Sequence, residues 1–366
     1  MRIRPRAWLF PLLAAATTLT VVLVAVPEDG GSRGSRTVAA PAPAPAPAGK
    51  AEPDARDVVL AVHGGAGTAL VRDETSPEKE KAYRDGLKKA LRAGKKALDR
   101  GATSVEAVEA AVNVLEDDPL FNAGKGAVFT ADAGHELDAS IMRGSDLKAG
   151  AVAGVKHVRN PITAARLVME KSKHVMLAGQ GADDFAVDQG LKPVTQDHYW
   201  TQRRWDQLMD AKGKKPSSDR DEAKGTVGAV AIDAKADMAA ATSTGGMTNK
   251  MAGRVGDSPV IGAGTYAKNG TVAASATGDG EIFIRGAATA TISNLMEFGG
   301  KDVAQASYEV LVKRLPKLGG SGGVIALDAK GVFDAPHSSE GMLHGYLTKD
   351  GKLVTKIFKE ESPPNQ

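Results

Sequence analysis

A chain of 366 residues has room for one large domain or two smaller ones, and with 42% hydrophobic but only 4% aromatic residues its core must be built from Ala, Val, Leu and Ile. The net charge of +3 is small for this length, and Lys and Arg are spread along the chain, so no nucleic acid is expected as a partner. The absence of cysteine excludes disulfides, thiol catalysis, Cys-ligated zinc and a lipobox-type anchor, and the seven His lack metal-ligand spacing.

Arg2, Arg4 and Arg6 precede an uncharged, mostly apolar run from Ala7 to Val26. A basic flank before an apolar run is the pattern of a secretory signal, and the run is also long enough for an uncleaved membrane anchor. Residues 1–26 are therefore expected to be a signal peptide or anchor. The chain is expected to be exported, periplasmic or extracellular, and tethered if residues 7–26 remain. Residues 27–56, with Ala-Pro repeats from Pro41 to Ala48, read as an extended spacer that cannot build a core.

Folded structure is expected from Asp57. Val58 to Val62 is a short apolar, β-branched run ended by His63-Gly64-Gly65-Ala66-Gly67, which predicts a buried strand entering a turn. Pro77 to Arg100 has a helical pattern, with Ser76 as N-cap and Pro77 at the first helical position. Thr103-x-x-Glu106 is a capping box for a helix through Leu115, and Val105, Val108, Val112 and Leu115 share one face. Pro161 to Ser172 predicts a third helix. The polar stretch from Tyr199 to Lys224 predicts a mobile, exposed connection.

Strands dominate afterwards. Thr226 to Ile232 and Met238 to Thr244 flank Asp233 to Ala236, and Gly262 to Ala267 and Thr271 to Thr277 flank the hairpin signal Asn269-Gly270. Val324 to Leu327 and Val332 to Ala335 flank a third turn, with helices at Ile284 to Phe298 and Val303 to Leu315. This mixture predicts sheets covered by helices, an α/β or α+β layer architecture. Gly319 to Gly323 matches G-x-S-x-G, but a helix precedes it and a strand follows, the reverse of a nucleophile elbow. Gly65-x-Gly67 lacks the third glycine of a dinucleotide loop.

Centring the first hairpin near Lys235 puts Thr226 opposite Thr244, and cross-strand partners have Cβ atoms roughly 4.5–5.5 Å apart. Such a Thr pair is ordinary structure by itself. Its context differs here, because Thr226 opens a strand after a polar stretch and follows Gly225, whose backbone tolerates strain. A hydroxyl is a weak nucleophile without a base. A Thr at a new chain N-terminus carries its own, an α-amine with a reference pKa of about 7.7–8.0. The same Oγ can first attack the Gly225 carbonyl and release that amine.

Seven stretches in order resemble the plant-type isoaspartyl peptidase/L-asparaginase family: His63 to Gly67, Phe121 to Ala127, His135 to Asp138, Gly225 to Val230, Thr242 to Asn249, Gly253 to Asp257 and Thr277 to Glu281. The resemblance spans Val58 to Phe358. It implies a four-layer αββα sandwich of the N-terminal-nucleophile hydrolase type, an α+β fold, cut into an α subunit (57–225) and a β subunit (226–366) that stay together and pair into an (αβ)₂ assembly. It implies Thr226 as nucleophile, Gly225-Thr226 as the autocleavage bond, and Thr244 as the neighbour that hydrogen-bonds the nucleophile. Arg254 and Asp257 would hold the α-carboxylate and α-amine of small aspartyl substrates, with Gly280 beside them. Thr277 and Gly278 would form the oxyanion hole, and Asn122 would support the site. No cofactor is expected in catalysis. A structural sodium is expected on backbone carbonyls of Leu115, Glu116, Asp118, Phe121, Ala123 and Lys125, although the Lys125 ammonium lies in the same loop. The expected activity is isoaspartyl dipeptidase with L-asparaginase. Glycosylasparaginase and a non-catalytic binding protein on the same scaffold are the alternatives.

Overall fold

Strands rich in Val and Ala with few charges must be covered on both faces. In a computed structural model, which describes residues 53–67, 70–213 and 225–362, such strands stack as two sheets between helices. The first half runs β1 (Val58–Gly67), α1 (Pro77–Asp99), α2 (Ser104–Glu116), β2 (Leu137–Arg143), β3 (Ala149–Val155), α3 (Pro161–Lys171), β4 (Met176–Ala178), α4 (Gly179–Asp188) and α5 (Gln202–Ala211). Next come β5 (Val227–Ile232), β6 (Met238–Thr244), β7 (Thr265–Ala267), β8 (Val272–Gly278), α6 (Gly280–Gly286), α7 (Ala288–Glu297) and α8 (Val303–Tyr308). The chain closes with β9 (Gly322–Asp328), β10 (Phe333–Asp334), β11 (Gly341–Thr348) and β12 (Leu353–Phe358).

The larger sheet has the order β12-β11-β1-β5-β6-β2-β3-β4, and the smaller one β10-β9-β8-β7. Three apolar layers hold them together. Leu87, Leu91, Val108 and Val112 of α1 and α2 pack with Leu60, Val62, Ala229 and Ala241 of the large sheet. Ala61, Val230 and Ala240 on its other face meet Ala273, Ile325 and Leu327 of the small sheet. Ala274, Ala276 and Val324 on the far side of the small sheet meet Phe283, Ile292, Val303 and Val310. The result is the expected α+β sandwich, four layers deep in the order αββα.

Local chemistry set the helix starts where expected. The Ser76 hydroxyl accepts from the Lys79 N–H, and the Thr103–Glu106 capping box is complete. Such a cap stabilises a helix by about 1 kcal/mol. The β5–β6 register runs from Val227 opposite Ser243 to Ile232 opposite Met238, so Thr226 and Thr244 follow directly at its open end.

Three expectations fail. The connection from Tyr199 is ordered through 213: Tyr199 is buried, and α5 is an amphipathic helix that buries Arg204 and Leu208. Its polar composition hid a narrow packed stripe, and the remainder of the stretch, 214–224, lies outside the described residues. The helix expected from Ile284 is two helices, starting earlier and broken at Ala287, which is left-handed with φ 42°. The strand expected from Gly262 is only Thr265–Ala267, because Gly262 to Gly264 form turns. Residues 1–52 are not among those described, so the signal, anchor and most of the spacer fall outside them. No helix among the described residues is long and apolar enough to cross a membrane.

Candidate active site

The open end of the β5–β6 hairpin gathers the reactive groups. Thr226 is buried, and its hydroxyl donates to Thr244 Oγ1 at 3.2 Å. Thr244 Oγ1 in turn donates to the Gly225 carbonyl at 3.1 Å and accepts the Gly246 N–H at 2.9 Å. Asn122, in the loop after α2, donates from Nδ2 to the same Gly225 carbonyl at 2.8 Å and accepts the Val128 N–H on Oδ1. The carbonyl before Thr226 therefore carries two donors. Charge developing on that oxygen is stabilised where it forms.

The small sheet brings the second set. Thr277 and Gly278 end β8, and Thr277 Oγ1 accepts the Ala66 N–H at 3.3 Å. A Cβ on the neighbouring Gly65 would stand 3.2 Å from the Gly225 Cα, so the far end of strand β1 links the Gly225–Thr226 bond to the end of β8. Gly278 has φ 147°, and a Cβ there would lie 2.5 Å from Gly322 Cα. Only glycine takes that conformation in that space.

Arg254 and Asp257 lie in the loop between β6 and β7. The Arg254 guanidinium grips Glu281 with Nε and Nη2, both at 3.0 Å, so it already recognises a carboxylate bidentately. Asp257 is buried, and its Oδ2 has no hydrogen-bond partner among the described residues. Burial pushes its pKa up to about 7, partly opposed by the Arg254 charge. A Cβ on Gly280 would come within 2.8 Å of Asp257 Oδ1 and 3.0 Å of Arg254 Nη2. Gly280 thus leaves the space between the two charged groups open. An unpartnered buried carboxylate oxygen beside a guanidinium fork suits one ammonium and one carboxylate on adjacent atoms of a ligand.

The acid limb of turnover should report Asp257. The free protein holds a proton on it below about pH 7, whereas binding an ammonium requires the ionised form. We expect kcat/KM to fall as pH drops through that value, more steeply than kcat, because bound substrate keeps Asp257 ionised. Asp257→Asn should lower kcat/KM and remove the difference between the two profiles. The raised folded-state pKa also means that the stability from this group is complete at low pH and lost as pH rises through about 7. Asp257→Asn should accordingly raise Tm at pH 8 more than at pH 5.

Two groups of site-supporting residues escaped sequence reasoning. Lys250 is 2% exposed and donates to the Glu136 carbonyl at 2.7 Å, while the Glu136 carboxylate accepts the Gly253 N–H at 2.7 Å. Together they brace the loop that carries Arg254. The other group surrounds His63, which contacts both the Thr226 carbonyl and Ser275. The sequence signals were the His135-to-Asp138 and His63-to-Gly67 motifs, but nothing in either names a contact across the fold. The Gly319-to-Gly323 stretch lies between a helical segment and β9 and forms no nucleophile elbow.

The loop expected to hold sodium has donors of the right kind. Pro119 has no N–H to offer the Leu115 carbonyl, and the Leu120 N–H turns to Asp118 Oδ1 instead of the Glu116 carbonyl. These oxygens sit at the negative end of α2. The carbonyls of Asp118 and Ala123 each accept one N–H and keep a second lone pair. Lys125 is exposed, so its ammonium is in solvent. The residues fit a small hard cation held by oxygen.

A family profile described as Asparaginase matches residues 56–357. The isoaspartyl peptidase of Escherichia coli (strain K12) is 48% identical over 311 residues, covering 83% of this chain and 97% of that protein. The isoaspartyl peptidase of Salmonella typhimurium is 50% identical over 310 residues, 82% of this chain and 99% of its own. The isoaspartyl peptidase/L-asparaginase of Rattus norvegicus is 43% identical over 305 residues, 82% and 89% respectively. These matches correct the expectation of a signal-bearing, secreted enzyme. The two bacterial relatives are matched over nearly their whole length by this chain's catalytic region, which leaves no comparable leader in them.

Proposed function

This chain belongs to the asparaginase family, and we propose that it cuts itself between Gly225 and Thr226 and then uses Thr226 to release aspartate from β-aspartyl peptides and L-asparagine. It is a hydrolase of the isoaspartyl peptidase/L-asparaginase kind. The observation that carries the self-cleavage is the Gly225 carbonyl, held by Asn122 and Thr244 beside the Thr226 hydroxyl.

In the first reaction Thr226 Oγ1 attacks the Gly225 carbonyl carbon. Its proton leaves towards Thr244, and Asn122 and Thr244 stabilise the oxyanion. The Gly225–Thr226 C–N bond breaks as the nitrogen takes up a proton, which leaves an ester on Oγ1. That break frees the α-amine of Thr226, and water then hydrolyses the ester, which leaves a carboxylate on Gly225 and restores the Thr226 hydroxyl. The two fragments remain one body, because β1 pairs with β5 and β11 and β2 pairs with β6, all across the cut. Residues 57–225 and 226–366 are the proposed subunits, and two such pairs form the proposed (αβ)₂ assembly.

In the second reaction the freed amine takes the Thr226 hydroxyl proton as Oγ1 attacks the substrate's β-carbonyl. Thr277 and Gly278 are the proposed donors to the resulting oxyanion. Its collapse breaks the β-amide bond as the leaving amine, ammonia in the case of asparagine, takes the proton held by the Thr226 amine. Water then hydrolyses the aspartyl ester on Oγ1 and releases aspartate. Arg254 takes the substrate's α-carboxylate in place of Glu281, whose side chain is 56% exposed. An ion pair that exposed is weak enough to be displaced. Asp257 takes the α-ammonium on its unpartnered oxygen. Sodium on the carbonyls of Leu115, Glu116, Asp118, Phe121, Ala123 and Lys125 would stiffen the loop leading to Asn122 and take no part in the chemistry.

Thr244→Val keeps shape and β-branching but removes the hydroxyl. A lost hydrogen bond to a reacting group costs about 1.5–3 kcal/mol, which is roughly ten- to 160-fold in kcat. Self-cleavage should slow too, since the same hydroxyl contacts Gly225. Equal kcat for the cleaved variant and wild type would make Thr244 an ordinary strand residue. The activity itself is tested by offering purified protein β-Asp-Leu, asparagine and a GlcNAc-Asn conjugate. Aspartate from the first two supports the proposal. Turnover of the third alone would instead indicate a glycosylasparaginase.

A further inference from the structure

Cleavage turns Thr226 into a chain end, and chain ends fray unless something ties them down. The sheet does little for this one. The register of β5 begins at Val227 on the β6 side and at Gly228 on the β1 side. The Thr226 carbonyl instead meets a side chain, His63 Nδ1, at 2.9 Å. His63 lies on β1, is completely buried, and directs Nε2 at Ser275 Oγ, 2.8 Å away on β8 of the other sheet.

The protonation states follow from the partners. A carbonyl oxygen can only accept, so Nδ1 carries the hydrogen. Burial holds the imidazole pKa down to about 3, which keeps the ring neutral and leaves Nε2 an acceptor. Ser275 must then donate to the ring. Thr242 in turn donates to Ser275 at 2.6 Å, and Thr265 to Thr242 at 2.5 Å. Ser140 closes the row at 2.8 Å from Thr265. These hydroxyls fix which way the ring points. Gly228 provides the room, because a Cβ there would fall 2.0 Å from Ser275 Oγ and 2.4 Å from His63 Nε2.

We infer that His63 is a positioning residue: its Nδ1–H anchors the carbonyl of the terminal Thr226, and Ser275 ties that anchor to the strand carrying Thr277 and Gly278. The anchor sets nucleophile and oxyanion donors in one frame across the two sheets. It rests on the reading of Thr226 as nucleophile, but its physical content, an immobilised terminus, is measurable without turnover.

The test uses the full chain with His63→Leu, His63→Asn and Ser275→Ala. Asn can present an N–H near the position of Nδ1, whereas Leu cannot. In the cleaved His63→Leu enzyme we expect kcat to fall about 30- to 100-fold, as for a misplaced reacting group, with KM nearly unchanged. His63→Asn should recover most of the loss, and Ser275→Ala should fall between them. Amide exchange at Val227 and Gly228, followed by NMR without substrate, should accelerate in His63→Leu and return towards wild type in His63→Asn. Wild-type kcat in His63→Leu, unchanged exchange, or an Asn variant no better than Leu would overturn the anchor. Activity retained by Thr226→Ala would overturn the nucleophile reading and leave the exchange result standing.

Discussion

Thr226→Ala is expected to remain a single chain and to show no turnover of any aspartyl substrate. The variant loses the proposed attacking atom, Thr226 Oγ1, so no ester forms and no amine is released. The second reaction then lacks both nucleophile and base. Removing such a pair costs far more than removing one supporting hydrogen bond, and residues acting as a unit do not add. The fold should survive. The change removes a methyl and a hydroxyl at one end of β5, while the Gly225 carbonyl keeps its bonds from Asn122 and Thr244. A denaturing gel, a thermal melt and an aspartate-release assay decide it. Thr226→Ser should still cleave, because it keeps the Oγ.

Arg254→Ala is expected to separate the two reactions. Self-cleavage involves no substrate carboxylate, so two fragments should still form. Turnover should collapse, because truncating one partner of a desolvated charge pair costs about 2–5 kcal/mol, roughly 30- to several-thousand-fold in kcat/KM. Arg254→Lys should also be poor, since an ammonium cannot reproduce the fork that now holds Glu281. Unchanged kcat/KM on β-Asp-Leu in Arg254→Ala would remove Arg254 from substrate recognition.

How much of this was legible in the sequence follows from the range of the forces involved. Ser76, Thr103 and Glu106 act within one helical turn, so the starts of α1 and α2 could be read directly. The short link at Asp233 to Ala236 sets the β5–β6 register, which places Thr226 beside Thr244 from the sequence alone. Strands β2, β3, β11 and β12 went unrecognised. β3 is an Ala-Gly run, and β2, β11 and β12 carry Asp138, His344 and Lys356 inside short apolar runs, so their signal is weak even though β2 pairs with β3 and β11 with β12 across short links. The stretch from Tyr199 was misjudged for the opposite reason. Its charged residues are real, but Arg204 is buried with its Nε on the Gly126 carbonyl, a contact no local pattern announces. Lys250, His63 and Ser275 belong to the same class. Each bonds across a sheet or a loop, and a buried polar group looks like a surface one until the fold closes over it. Resemblance supplied what physics along the chain could not, the proposed roles of Arg254, Asp257, Thr277 and Asn122.

The most direct test of self-cleavage is the intact mass and N-terminal sequence of the fragments from purified wild-type protein. Two fragments are expected, the smaller beginning Thr-Val-Gly-Ala, and their appearance should track the onset of aspartate release. A wild-type chain that stays whole and is nevertheless fully active would contradict the account.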